Sequence, residues 1–260
     1  MGCVTCSPVY NTKINPQCGM NKDHNISVPL FENREIIEQP VDLTKLSDRY
    51  TAAATNFMST AVSHEKPFFL YAPLTHVHVP LATDPRFAGG SGSGHFGDAV
   101  MEMDDFVGQV MGWVREKGLL EDTLVMFTSD NGPWEFKCEL AGCAEPYVGI
   151  WQKVVGEGGS SSKMTTWEGG HRVPFIVSWP GKLPANKVGS ELVSAFDILP
   201  TLAAICGFEL PTDRVFDGIP LPFVAPHNGT RVTFHLDAGY NEIWALRYGK
   251  YKVYYATYPG

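Results

Sequence analysis

The chain has 260 residues, 44% of them hydrophobic and 18% charged, a composition that can bury a sizeable core and excludes extended low-complexity disorder. The length suits one large domain, or one and a half. A net charge of −8 without any basic stripe argues against nucleic-acid binding, and no apolar run approaches the roughly 20 residues that a membrane helix requires.

Residues 1–42 carry no sustained hydrophobic period and are rich in Cys, Pro, Gly and Asn, so a long disulfide-stapled loop is expected there. Five of the six cysteines, Cys3, Cys6, Cys18, Cys138 and Cys143, sit in Gly/Pro/polar stretches and suit disulfides made in an oxidising compartment. Cys206 lies in the apolar run Leu202–Cys206 and reads as a buried free thiol. Asn25-Ile26-Ser27 and Asn228-Gly229-Thr230 are N-glycosylation acceptors. Together these features favour the secretory route, yet the chain carries no signal peptide, and both of its ends read as cuts rather than termini. Met1-Gly2-Cys3 does not indicate acylation, because Cys6 stands where a Ser or Thr is required.

The spacing of Leu46, Tyr50, Ala53, Ala54, Phe57 and Ala61 predicts an amphipathic helix over 44–62. Pro67–Pro73 predicts a fully buried strand, and 74–96 a loop ending in Gly and Ser. Val100, Met103, Phe106, Val107, Val110 and Val114 place a second helix at 97–117, with Gly118 as its C-cap. Leu124–Thr128 reads as a second buried strand, followed by a long loop to Gly170, a length that usually signals function. Val173–Trp179 is a third strand and 191–206 a third helix. Val232–Leu236 is strand-like, and two runs flanking Gly249-Lys250 suggest a hairpin. Alternating buried strands and helices mean an α/β fold with a largely parallel sheet, whose ligands bind beyond the carboxyl ends of the strands.

Three polar clusters fall at such ends. Asp130-Asn131 offers hard oxygen ligands suited to Ca²⁺ or Mg²⁺, against the plainer reading of an Asx turn. His76-Val77-His78 would put two imidazoles on one strand face, against one buried and one surface His. Lys163 follows a Gly/Ser stretch and could hold an anion as a point charge, against a merely solvated lysine. Glu168 and Arg172 read as a structural ion pair. Cys3, Cys6, Cys18 and His24 could form a zinc site, but the second ligand pair is missing and disulfides are the better reading.

Taken together, the segments 68–80, 96–104, 127–133, 163–174, 194–202 and 216–221 resemble, in order, those of the arylsulfatases, closest to the lysosomal A and G type. The resemblance implies an alkaline-phosphatase-like sulfatase fold, with 1–230 the later portion of the catalytic domain and 231–260 the start of a small antiparallel C-terminal sheet. It implies hydrolysis of a sulfate monoester using one Ca²⁺ ion and a formylglycine nucleophile. Asp130 and Asn131 would then be two calcium ligands. His78 would hydrogen-bond the sulfate ester and protonate the leaving oxygen, Lys163 would grip a sulfate oxygen, and His76 would be structural.

The family's formylglycine arises from the Cys of a Cys-x-Pro-x-Arg motif. Cys6-Ser7-Pro8-Val9-Tyr10 is similar, but Tyr10 replaces the always-charged Arg, and the motif belongs well upstream of the His-x-His segment. Cys6 is therefore not taken as the nucleophile; none is expected in this chain, nor are the family's paired aspartates that complete the calcium site. On this reading the 260 residues alone are inactive. Other readings are a non-catalytic truncated relative, and a phosphatase or phosphodiesterase, which would use two zinc ions and Asp-His where this chain has Asp130-Asn131. The substrate is a sulfated small molecule or glycan; Trp134, Phe136 and Trp151 could face its ring or anchor loops. The location implied is the lysosome or the cell exterior, and oligomeric state is not legible.

Overall fold

In the computed structural model, residues 20–21, 26–147, 162–226, 231–236 and 242–256 are described, with side chains from residue 28 onward except those of 136 and 138. Cys3, Cys6, Cys18, His24, Asn25, Trp151 and Asn228 fall outside the described residues.

The N-terminal region carries more regular structure than its composition implies. β1 (Met20–Asn21) pairs with β2 (Ile26–Ser27), and β3 (Leu30–Glu32) with β4 (Glu35–Glu38), both antiparallel. The turn between β3 and β4 places Asn33 at φ 55°, a conformation that Asn tolerates better than most residues. The outward Phe31, Ile36 and Ile37 hide this hairpin from a period-2 search.

Asp42 caps a 3₁₀ turn at Leu43–Lys45 by accepting the Thr44 N–H at 3.1 Å, and α1 (Leu46–Ser63) follows. Glu38 pairs with Arg49, tying β4 to this helix. The buried face of α1 is Leu46, Ser47, Thr51, Ala54 and Met58, whereas Ala53 and Phe57 are exposed. Of the expected stripe, Leu46 and Ala54 face inward and the rest is rotated toward Ser47 and Thr51. The small polar residues can face inward because Thr51 Oγ1 bonds back to the Ser47 carbonyl at 2.9 Å. α2 (Gly94–Glu116) packs against α1 and buries Asp98, Ala99, Glu102, Phe106 and Val114. Its first turn is organised by the buried Asp98 carboxylate, which accepts the Gly89 and Ser91 N–H groups and the Ser91 hydroxyl at 2.7–3.1 Å. Gly118, at φ 71°, follows the helix as its left-handed terminator.

Residues 67–73 run between α1 and α2 without pairing to any strand among the described residues, and Phe69 and Tyr71 are 66% and 76% exposed. The expected buried strand is absent there: the apolar run has no ladder neighbour and no covering layer. β5 (Val125–Thr128) pairs antiparallel with β6 (Phe175–Ser178), Val125 opposite Ser178 and Thr128 opposite Phe175. All pairings among the described residues are antiparallel; the parallel ladder expected from alternating strands and helices is not among them.

A short α3 (Glu168–His171) precedes β6. The third expected helix begins later than 191: Ser194 and Asp197 form a reciprocal capping box around a 3₁₀ turn, and α4 spans Ile198–Cys206. Cys206 is a free thiol as expected, but it is exposed rather than buried, because it ends the helix just before Gly207 turns left-handed at φ 72°. Cys143, expected in a disulfide, is also a free, exposed thiol; nothing in the composition of its loop distinguishes it from the other four. β7 (Val232–Leu236), β8 (Ile243–Tyr248) and β9 (Tyr251–Tyr254) form a three-stranded antiparallel sheet in the order 7-8-9, with Gly249-Lys250 making the expected hairpin turn.

Candidate active site

Thr128 leads straight from β5 into the turn Ser129–Pro133. Asp130 Oδ1 accepts the Asn131 N–H at 2.8 Å, and the Asn131 amide donates to the Gly132 carbonyl at 2.8 Å. Among the described residues, Asp130 Oδ2 and Asn131 Oδ1 accept no hydrogen bond, so two hard oxygens are left for a ligand. No group of three His, Cys, Asp or Glu side chains able to hold a metal occurs among the described residues. The residues present fit part of a calcium shell and require further oxygens from elsewhere.

This turn is locked to the Lys163 segment by backbone alone. The Gly132 N–H donates to the Gly170 carbonyl at 2.9 Å, and the Lys163 N–H to the Pro133 carbonyl at 2.9 Å. The approach is so close that a Cβ on Gly132 would lie 1.7 Å from the Gly169 carbonyl oxygen. Sequence reading placed Asp130 and Lys163 in one long loop, some thirty positions apart, without bringing them together; the two glycines that join its ends look like ordinary turn residues. The Lys163 ammonium lies 5.4 Å from the centre of the Trp134 ring, which also carries Lys137 at 4.4 Å. Trp134 is thereby engaged as a lysine anchor.

His78 occupies an exposed turn rather than a strand, so the expectation that His76 and His78 share a strand face does not apply. Its Nδ1 lies 2.6 Å from the Val79 carbonyl, which can only accept; Nδ1 therefore carries a proton, and Nε2 makes no hydrogen bond among the described residues. His76 points the other way: 8% exposed, its Nε2 is 3.3 Å from Glu102 Oε2. Both histidines line a cavity of about 330 Å³ together with Leu43, Leu74, Leu81 and Ala99. Leu81 and Ala99 meet Leu140 in a small core, against which Val77, Val79 and Phe96 pack. This core is what connects the His78 turn to the loop that follows Asp130.

The Glu168–Arg172 pair foreseen from sequence exists at 3.7 Å, but it is the weakest of several. Glu168 is held at 3.0 Å by both Arg247 of β8 and Lys252 of β9, and lies 3.6 Å from His171. His171, Lys252 and Arg247 hold its carboxyl below the ordinary carboxylate range. We assign most of that effect to the two 3.0 Å contacts, because His171 Nε2 is 3.2 Å from the Lys252 ammonium and so must act as an acceptor there. Lys252 also donates to the Thr166 carbonyl, Trp167 stacks on Tyr254 at 4.4 Å, and His171 on His235 at 4.3 Å. Burial, reinforced by the neighbouring His171 and Lys252, pushes His235 down to about 4. Burial likewise lowers Lys252 and raises Tyr254. The C-terminal sheet thus clamps the segment that carries Lys163, which no local sequence signal announces.

The Sulfatase family profile matches residues 9–208. The chain is 40% identical to arylsulfatase G of Rattus norvegicus over 99% of its own length and 51% of that protein's. It is 38% identical to human arylsulfatase A over 89% and 44%. Among solved structures, the PsFucS1 sulfatase from Pseudoalteromonas sp. superposes with a TM-score of 0.73 at 32% identity, covering 86% of this chain and 43% of that one. The chain therefore belongs to the sulfatase family and has its alkaline-phosphatase-like fold. It spans about half the length of the curated relatives it matches.

Proposed function

We propose that the full-length protein hydrolyses sulfate monoesters and that this chain supplies the leaving-group side of its active site. The observation that carries this reading is the backbone lock between the Asp130-Asn131 turn and the Lys163 segment. It ties the backbone of the turn bearing Asp130 and Asn131 to that of Lys163, whose ammonium has no carboxylate partner among the described residues. Asp130 and Asn131 would hold calcium, which supplies electrostatic stabilisation of the oxygens around sulfur. Lys163 neutralises charge growing on the sulfate. His78, with Nδ1–H bound to Val79, would act as the imidazolium, giving its Nε2 proton to the departing oxygen and keeping the Nδ1 proton. The nucleophile, a formylglycine, and the remaining calcium ligands belong to the part of the protein outside this chain, and Cys6 is not that nucleophile. Residues 1–230 form part of the catalytic domain and 231–260 begin a smaller C-terminal unit.

The substrate is a sulfated small molecule or glycan; one relative, from Rattus norvegicus, is an N-acetylgalactosamine-6-sulfatase, 32% identical over 96% of this chain. The glycosylation acceptors Asn25 and Asn228 support a secretory, lysosomal or extracellular protein. No helix among the described residues is long and apolar enough to cross a membrane. A phosphatase reading is disfavoured by Asn131, whose amide oxygen is a poor zinc ligand.

The test is expression of the complete gene product in a host that makes formylglycine, followed by assay on nitrocatechol sulfate and nitrophenyl phosphate with calcium or with chelator. Calcium-dependent sulfate hydrolysis that falls at least about 100-fold in Lys163→Ala is expected, the scale of losing a preorganised charge-stabilising group. Phosphate hydrolysis alone, or no turnover, overturns the proposal.

A further inference from the structure

We propose that Glu102 is a positioning residue for His78, gripping the His78 turn at both of its ends from the face of α2. The inference rests on the reading of His78 as the leaving-group acid. Glu102 is 0% exposed, in a helix whose other fully inward positions include Ala99, Phe106 and Val114. A carboxylate at such a position carries a desolvation cost that an apolar side chain would avoid, so its partners carry the explanation. One oxygen, Oε2, meets His76 Nε2 at 3.3 Å and accepts the Asp84 N–H at 3.2 Å. His76 and Asp84 bracket the turn on whose outer surface His78 stands. The turn itself is closed by the His78 N–H, which donates to the Thr75 carbonyl at 3.0 Å, and Leu81 is anchored in the core with Ala99.

The arrangement differs from an ordinary structural pair in one respect. Glu102 Oε1 and His76 Nδ1 are both buried and have no hydrogen-bond partner among the described residues. A network serving stability alone is expected to be fully satisfied. Here a single oxygen holds both contacts, which makes the turn's geometry depend on one atom. A displacement of about 1 Å at a catalytic group costs on the order of 100-fold in rate, so a short, two-ended tether on the turn is what a leaving-group acid requires.

The role has a signature that folding alone does not produce. Protonation matters for a poor leaving group and hardly at all for a good one. In the complete, formylglycine-bearing protein, E102Q should lower kcat on an alkyl or sugar sulfate by roughly 10- to 100-fold, within the range general acid catalysis contributes. On a nitrophenyl sulfate the same variant should lose less than about 3-fold, because little protonation of that leaving group is needed. KM should change little for either, and the E102Q/H78A double variant should lose no more on the alkyl ester than H78A alone. H76Q, which keeps an N–H near Glu102, gives an independent variant in case E102Q folds poorly; a smaller loss with the same split is expected. Equal losses on both esters in both variants would mean that Glu102 only supports folding, and the proposal falls. Absence of the split in H78A would remove the assignment of His78 itself, and absence of wild-type turnover would remove the sulfatase reading; each outcome is separately visible.

Discussion

The pairing of His235 with His171 predicts how the C-terminal sheet responds to acid. His235 sits at about 4 in the folded protein, against an ordinary value near 6.5, with burial the main cause. The sign follows from proton counting. Between these two values the unfolded chain binds a proton that the folded chain refuses, so stability falls as pH drops through that window. The groups facing His235 are His171, Lys252, Arg247 and Glu168; three can carry positive charge and one negative, so protonation meets net repulsion. Taken at face value the shift is worth about 2.5 kcal/mol between pH 7 and 4.5, and solvent reaching a half-buried ring reduces this to about 1 kcal/mol. His235→Phe keeps an aromatic ring against His171 and removes the titration. Urea unfolding of both proteins at pH 7 and 4.5 isolates the effect from that of the carboxylates, which both share. The variant should lose about 1 kcal/mol less on acidification. Identical losses would refute the reasoning, and a larger loss in the variant would show that the sign is wrong.

Two other substitutions test the architecture directly. Gly132→Ala places a carbon 1.7 Å from the Gly169 carbonyl oxygen, so the Asp130 turn and the Lys163 segment must separate; thermal unfolding should register a loss of about 3 kcal/mol, and calcium affinity should fall with it. Asp197, 1% exposed, accepts from Ser194 and Ile219 backbone N–H groups at 2.8 and 3.0 Å and pairs with Arg231. Asp197→Asn puts an amide nitrogen against one set of these donors, removes the charge facing Arg231, and should cost about 3 kcal/mol by urea unfolding, with no change in KM in the complete protein.

What could be read from the sequence was local. α1, α2 and the β8–β9 hairpin announce themselves through spacing and turn residues, and the family is legible because six short segments match in order. What could not be read depends on partners far along the chain. The run 67–73 has a strand's composition, yet strand identity requires a neighbour. The buried face of α1 is set by Ser47 and Thr51, whose inward placement depends on a back-bond that a hydrophobicity pattern ignores. Glu102 reads as a surface residue of an amphipathic helix until His76 and the Asp84 N–H are found against it. Lys163 and Asp130 are each legible as candidates in one long loop; that Gly132 and Gly170 join the two ends of that loop is not.

The clamp between the C-terminal sheet and residues 166–171 also bears on when this region matures during synthesis. Lys252 reaches the Thr166 carbonyl and Glu168, and Tyr254 covers Trp167, partners more than 80 positions earlier in the chain. Until the ribosome has released residue 254, residues 166–171 lack their contacts with the C-terminal sheet, and the segment is held from the other side by the Gly132 and Pro133 backbone bonds. Residues 166–171 are thus among the last parts of this chain to gain all their contacts, although helices α1 and α2 can form and pack long before. A nascent chain would carry a folded scaffold with residues 166–171 clamped from one side only, and closure of the sheet is the step that completes the clamp.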